Sequence, residues 1–118
     1  FKKNKIRVSL FIEPSIKDIK CAKSLNADCI EIHTGKICRL INFKKNLKKE
    51  FLKVKKAINF ANKIGLEVHA GHGLTYKSAK TLSRLKGIKE FNIGHFLIGE
   101  SIFIGLPECI KNFRRILK

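Results

Sequence analysis

The feature that most constrains this chain is an alternation. Four short, apolar, β-branched runs each lead into a segment with helical periodicity. Arg7 to Ile12 reads as a strand, and Glu13-Pro14-Ser15 breaks it. Ser15 is placed to cap a helix, with Asp18 three residues on and Ile16, Ile19, Ala22 and Leu25 at helical spacing. Cys29 to His33 is a second strand whose alternation sets Glu31 and His33 on one face and Ile30 and Ile32 on the other. Lys36 to Lys45 reads as a loop or irregular turn. Asn46 then caps a long helix carrying Leu47, Phe51, Val54, Ile58 and Ala61, closed by Gly65. Leu66 to Ala70 and Lys89 to Ile93 are the third and fourth strands. Helices follow them over about Tyr76 to Leu85 and Phe96 to Ile104. After Gly105-Leu106-Pro107, the residues Leu106, Ile110, Phe113 and Leu117 mark the stripe of a last helix.

Strict β-α alternation implies a parallel sheet with helical crossovers. A unit takes roughly 30 residues, and an eight-unit barrel takes ~250. The expected fold is therefore an α/β TIM (β/α)8 barrel. Residues 1–118 would supply roughly the last four units, the C-terminal half of one barrel domain. A four-stranded flavodoxin-like sheet is the alternative. The chain contains no Met, so Phe1 is not expected to be a native start. Processing would explain that, and so would a longer parent chain, which the half-barrel architecture favours.

Composition narrows the function classes. The net charge is +17, from 26 Lys and Arg against nine Asp and Glu. Taken alone, such a charge points to nucleic acid or an anionic surface. Only five of the cations are Arg, however, and lysines such as Lys44-Lys45, Lys48-Lys49 and Lys55-Lys56 fall where helices should face water. The Lys, Ile and Asn bias fits an AT-rich coding sequence. A positive field also suits small phosphorylated substrates. A basic nucleic-acid-binding domain is kept as the non-enzyme alternative. Cys21, Cys29, Cys38 and Cys109 have no zinc-ribbon or disulfide spacing and read as free, buried thiols of a cytoplasmic protein. No run approaches the ~20 apolar residues of a membrane span, and no secretory signal precedes Ile6.

Polar groups that could carry chemistry gather at the predicted strand ends, where parallel α/β folds place their sites. His72 lies between Gly71 and Gly73, which offers an imidazole beside bare backbone N–H groups. Gly94-His95 repeats the pair after the next strand and opens a short helix, an arrangement suited to phosphate. Glu31 shares its face with His33 and would be buried at a barrel rim. His69 is out of phase with His72 and reads as structural, and His33 is a weaker candidate than His72. Zinc held by His33, His72 and His95 is a minor alternative.

The segments Val8-Ser9-Leu10-Phe11-Ile12, Ile30-Glu31-Ile32-His33-Thr34-Gly35, Ala70-Gly71-His72-Gly73-Leu74-Thr75-Tyr76 and Asn92-Ile93-Gly94-His95 appear in one order. In that order and spacing the chain resembles the C-terminal half of the pyridoxine 5′-phosphate synthase family, from about Arg7 to the end. The resemblance implies a cytosolic eight-unit barrel, assembled as a homo-octamer, without metal or organic cofactor. The implied reaction condenses 1-deoxy-D-xylulose 5-phosphate with 3-amino-2-oxopropyl phosphate, giving pyridoxine 5′-phosphate, phosphate and water. By the same resemblance His72 is the proton donor and Glu31 stabilises the transition state. Gly73, Gly94 and His95 bind the aminooxopropyl phosphate. The family's general bases lie in its other half, so the segment alone is expected to be inactive. Another phosphate-binding barrel, such as an aldolase, would call for a mid-strand Schiff-base Lys, and none is present. Two departures stand out. Lys36-Ile37-Cys38-Arg39 replaces a Tyr-containing segment, and Glu100 stands where an Arg is common.

Overall fold

A computed structural model describes residues 1–118. After a single 3-10 turn at Lys2–Asn4, four strands and six helices follow in order: β1 (Ser9–Ile12), α1 (Ile16–Ser24), β2 (Cys29–His33), α2 (Gly35–Asn42), α3 (Lys48–Lys63), β3 (Glu67–Gly71), α4 (Tyr76–Leu82), β4 (Ile88–Asn92), α5 (His95–Ile104) and α6 (Leu106–Ile116). The strands form one parallel sheet whose order, β1-β2-β3-β4, is the order of the chain. Nowhere does that order reverse, whereas a doubly wound sheet needs a reversal. The flavodoxin-like alternative is therefore not what forms.

Local signals explain most of the elements. Ser15 Oγ accepts from the Asp18 N–H at 3.4 Å and starts α1. Thr75 and Ser78 form a reciprocal capping box at the start of α4. Gly65, at φ +73°, ends α3 in the left-handed conformation that an L side chain disfavours.

Period-two alternation then sorts the sheet into two faces. Ile30, Ile32 and Val68 are buried against Ile19, Ile37, Ile58 and Leu82 of the helices. The opposite face carries Phe11, Glu31, His33, Glu67, His69, Glu90 and Asn92, in register across the four strands. One face is thus a covered apolar core. The other is a polar surface on which Phe11 and Glu90 are exposed.

Three expectations need correction. Lys36 to Lys45 is not a loop, because α2 occupies most of it. Ile37, Cys38 and Ile41 give α2 a buried face, and the basic Lys36 and Arg39 between them mask the stripe in the sequence. In α6 the buried pair is Cys109 and Phe113, while Leu106 and Ile110 are exposed. Cys21 is exposed; only Cys29, Cys38 and Cys109 are buried.

Candidate active site

Strand register decides which polar groups can meet. Gly71 sits opposite His33 on β2 and Asn92 on β4. Having no side chain, it leaves an open lane between them. Glu31, one row below, fills that lane, and its Oε2 accepts from Asn92 Nδ2 at 2.6 Å. A Cβ built on Gly71 would overlap the Glu31 carboxylate. The glycine is therefore what lets a carboxylate lie across the rim of the sheet. Asn92 has no sequence signal as the partner of Glu31, because only register reveals the pairing.

The turn after β3 is held from the neighbouring strand end. Thr34 is buried, and its N–H donates to the Gly71 carbonyl at 2.8 Å. Its hydroxyl lies within hydrogen-bond distance of the carbonyls of Gly71 (2.7 Å) and His72 (2.9 Å). Held this way, His72 adopts φ +76°, a region few non-glycine residues occupy. Its imidazole is turned outward and exposed. Gly73 follows at φ +76°, and a Cβ there would come within 3.3 Å of Cys38 Cβ and Gly35 Cα. Thr75 Oγ1 reaches Asn42 Oδ1 at 2.9 Å and Lys77 Nζ donates to the Ile41 carbonyl at 2.7 Å, which ties the far side of this turn to α2.

The turn after β4 is open. A Cβ on Gly94 would meet nothing within 4 Å, and His95 is exposed at the first turn of α5. Between the two turns lies a cavity of about 540 Å³, lined by His72, Gly73, Thr75, Asn92, Gly94 and His95. Tyr76 and Phe96 meet edge to face at 5.0 Å, and Phe113 lies 4.6 Å from Tyr76, so an aromatic cluster ties α4 to α5. The Tyr76 hydroxyl donates to Cys109 Sγ at 3.3 Å, and burial pushes its pKa up.

Of the residues singled out by sequence, His72, Gly73, Gly94 and His95 line this one cavity, and Glu31 reaches its edge through Asn92. His69 lies lower on the polar face. It is buried, with Nε2 at 2.8 Å from Glu67 and Nδ1 at 3.5 Å from Glu90. Glu67 also pairs with Arg7 at 2.6 Å, and these contacts hold its carboxyl below the usual range. His33, His72 and His95 do not gather into a metal-binding group. Lys36 finds a partner in the buried Glu50 at 2.8 Å, which raises its pKa. Cys38, the next departure but one, is buried, and desolvation pushes its thiol pKa up.

A one-directional parallel sheet with its polar groups at the C-terminal rim defines an α/β protein of the kind that binds ligands at its strand ends. The chain belongs to the family described as pyridoxal phosphate biosynthesis protein PdxJ, whose model matches residues 1–118. It is 57% identical over 116 residues to the pyridoxine 5′-phosphate synthase of Pelagibacter ubique, covering 98% of this chain and 48% of that protein. It is 49% identical to the enzyme of the same name from Zymomonas mobilis, over 95% of this chain and 43% of the relative. For the Sulfurihydrogenibium protein the identity is 42%, over 98% and 47%. The chain thus spans a little under half the length of these curated relatives.

Proposed function

We propose that this chain is the C-terminal half of a pyridoxine 5′-phosphate synthase barrel. The whole enzyme would condense 1-deoxy-D-xylulose 5-phosphate with 3-amino-2-oxopropyl phosphate to pyridoxine 5′-phosphate, phosphate and water. The observation that carries this is the shared cavity between the two Gly-His turns, with His72 on one wall and Gly94 and His95 on the other. In this reading the aminooxopropyl phosphate rests between Gly73, Gly94 and His95, where backbone N–H groups and an open helix start receive its phosphate. His72 delivers a proton to a departing oxygen, and Glu31, steadied by Asn92, stabilises positive charge that develops during imine formation and ring closure.

The one-sided sheet favours a barrel. Its polar face and its two outer strands, β1 and β4, are uncovered, as four more units would leave them before closure. Ile98, Ile102 and Phe103 on α5 and Leu106 and Ile110 on α6 are exposed, and they offer apolar surface to a homo-octamer. No helix is long and apolar enough to cross a membrane.

The test is turnover of both substrates by the full gene product and by residues 1–118 alone, following pyridoxine 5′-phosphate and phosphate release. Product from the full polypeptide only, abolished by His72→Ala, is the expected result. A full gene product that makes none overturns the reading.

A further inference from the structure

A second imidazole stands beside His72. His33 ends β2, and its ring centroid lies 4.8 Å from that of His72, with the planes 57° apart. On its other side Phe11 of β1 meets it edge-on at 5.1 Å. The ring is therefore sandwiched between side chains from the two neighbouring strand ends. Its Nδ1 is 2.6 Å from Glu13 Oε1, just past the end of β1. A carboxylate at that distance accepts from Nδ1–H, which makes Nδ1 the donor nitrogen of the pair. The same pairing sets the plane of the ring.

Gly35 makes this arrangement possible. A Cβ there would stand 2.7 Å from His72 Cδ2 and 2.9 Å from His33 Nε2, so any side chain would drive the two rings out of place. Both rings, with Gly35, also line a second cavity of about 470 Å³ on the α2 side of His72. His72 projects from a strained turn, and its backbone is fixed by Thr34. No hydrogen bond of its own holds its imidazole, so the neighbouring ring is what limits its rotation.

We infer that the Glu13–His33 pair is a positioning device for His72: Glu13 fixes the His33 ring, and His33 fixes the His72 ring, across the gap that Gly35 leaves. His33 is then a positioning residue that acts through His72. This inference rests on the proton-donor reading of His72. A donor displaced by about 1 Å loses on the order of 10²-fold in rate while substrate binding is little changed.

The experiment compares the full gene product with its Glu13→Gln, Glu13→Ala and His33→Phe variants in two readouts. The first is steady-state kinetics with both phosphorylated substrates. Glu13→Ala is expected to lower kcat by about 10-fold or more with KM within about twofold, and Glu13→Gln, which keeps an acceptor, to recover part of it. His33→Phe keeps the ring but loses the anchor, and should resemble Glu13→Ala. The second readout is nitrogen-15 NMR of the imidazoles, with contacts between the His33 and His72 ring protons. The wild type should show His33 as the Nδ1–H tautomer in contact with His72, and Glu13→Ala should lose both. Unchanged kcat in Glu13→Ala, in an enzyme that His72→Ala inactivates, overturns the inference. If the wild type makes no product, the proposed function fails, and the NMR decides the inference alone. His72 contacts that survive Glu13→Ala then overturn it, and their loss upholds it.

Discussion

At the end of β3, the backbone of Gly71, His72 and Gly73 is packed against the neighbouring strand end and α2, while the His72 ring itself is exposed. At the end of β4, Gly94 and His95 stand in the open. The first turn is held by Thr34, strained at His72, and closed against Glu31, Cys38 and Gly35. The second has no neighbour within reach of a Gly94 side chain. The same residue pair thus meets two different needs. One glycine pair makes room for parts of the protein itself. At the other turn the space in front of the single glycine, Gly94, is left empty. A proton donor must be held in one geometry. A phosphate site needs exposed N–H groups and empty space in front of them.

Substitutions can test this contrast. The largest effect is expected from His72→Ala, with kcat lowered by about 10²–10⁴ in the full gene product and the fold retained. Gly71→Ala should follow closely, with roughly 10² in kcat. The added methyl expels the Glu31 carboxylate from its lane, and because that carboxylate ends a flexible side chain the sheet survives, which circular dichroism checks. Gly94→Ala should behave in the opposite way, raising KM for the aminooxopropyl phosphate by about tenfold, the weight of one charge-assisted contact, with no change in urea midpoint. A drop in stability instead would mean that Gly94 serves the fold, and the contrast between the two turns would be lost. Thr34→Val keeps the side-chain volume but removes the hydroxyl from two carbonyls, and should cost about 1 kcal/mol in urea denaturation.

The smallest effect is electrostatic and lies away from both turns. Asp28 is held below its ordinary pKa by Lys2 and the Val8 N–H, and Glu67 by His69 and Arg7. A carboxylate with a depressed folded-state pKa contributes stability above its unfolded value and loses it as pH falls through the folded one. The urea midpoint should therefore drop on acidification through the carboxylate range, and Asp28→Asn should blunt that drop. Both carboxylates are only half-buried and reached by solvent, so the change is small.

What the amino-acid pattern revealed follows the range of each interaction. Strands β1 to β4 and helices α1 and α3 were legible because their period and caps are local, as with Ser15 and Gly65. Helix α2 was hidden because the exposed Lys36 and Arg39 break up its apolar residues along the sequence and Lys36 turns to the buried Glu50 of the next helix. The members of the site were visible as Gly-His pairs. Their supports were not, since Asn92 and Glu13 reach Glu31 and His33 across strands and only register brings them together. His33 reads as a weaker candidate than His72 for this reason: its partners are far away in sequence.

The sheet order has a consequence for how the site comes into being. Each strand pairs with the one made just before it, so every new unit finds its template already in place and closes only a modest loop to reach it. During synthesis, the Glu13–His33 pair and the Thr34 clamp can be assembled before β4 emerges. The Asn92 amide that holds Glu31, and the open Gly94–His95 turn, arrive last. A ribosome-bound intermediate ending before β4 would therefore hold His72 on its Thr34 clamp but lack Asn92, Gly94 and His95, so the cavity between the two turns can take shape only after β4 has docked.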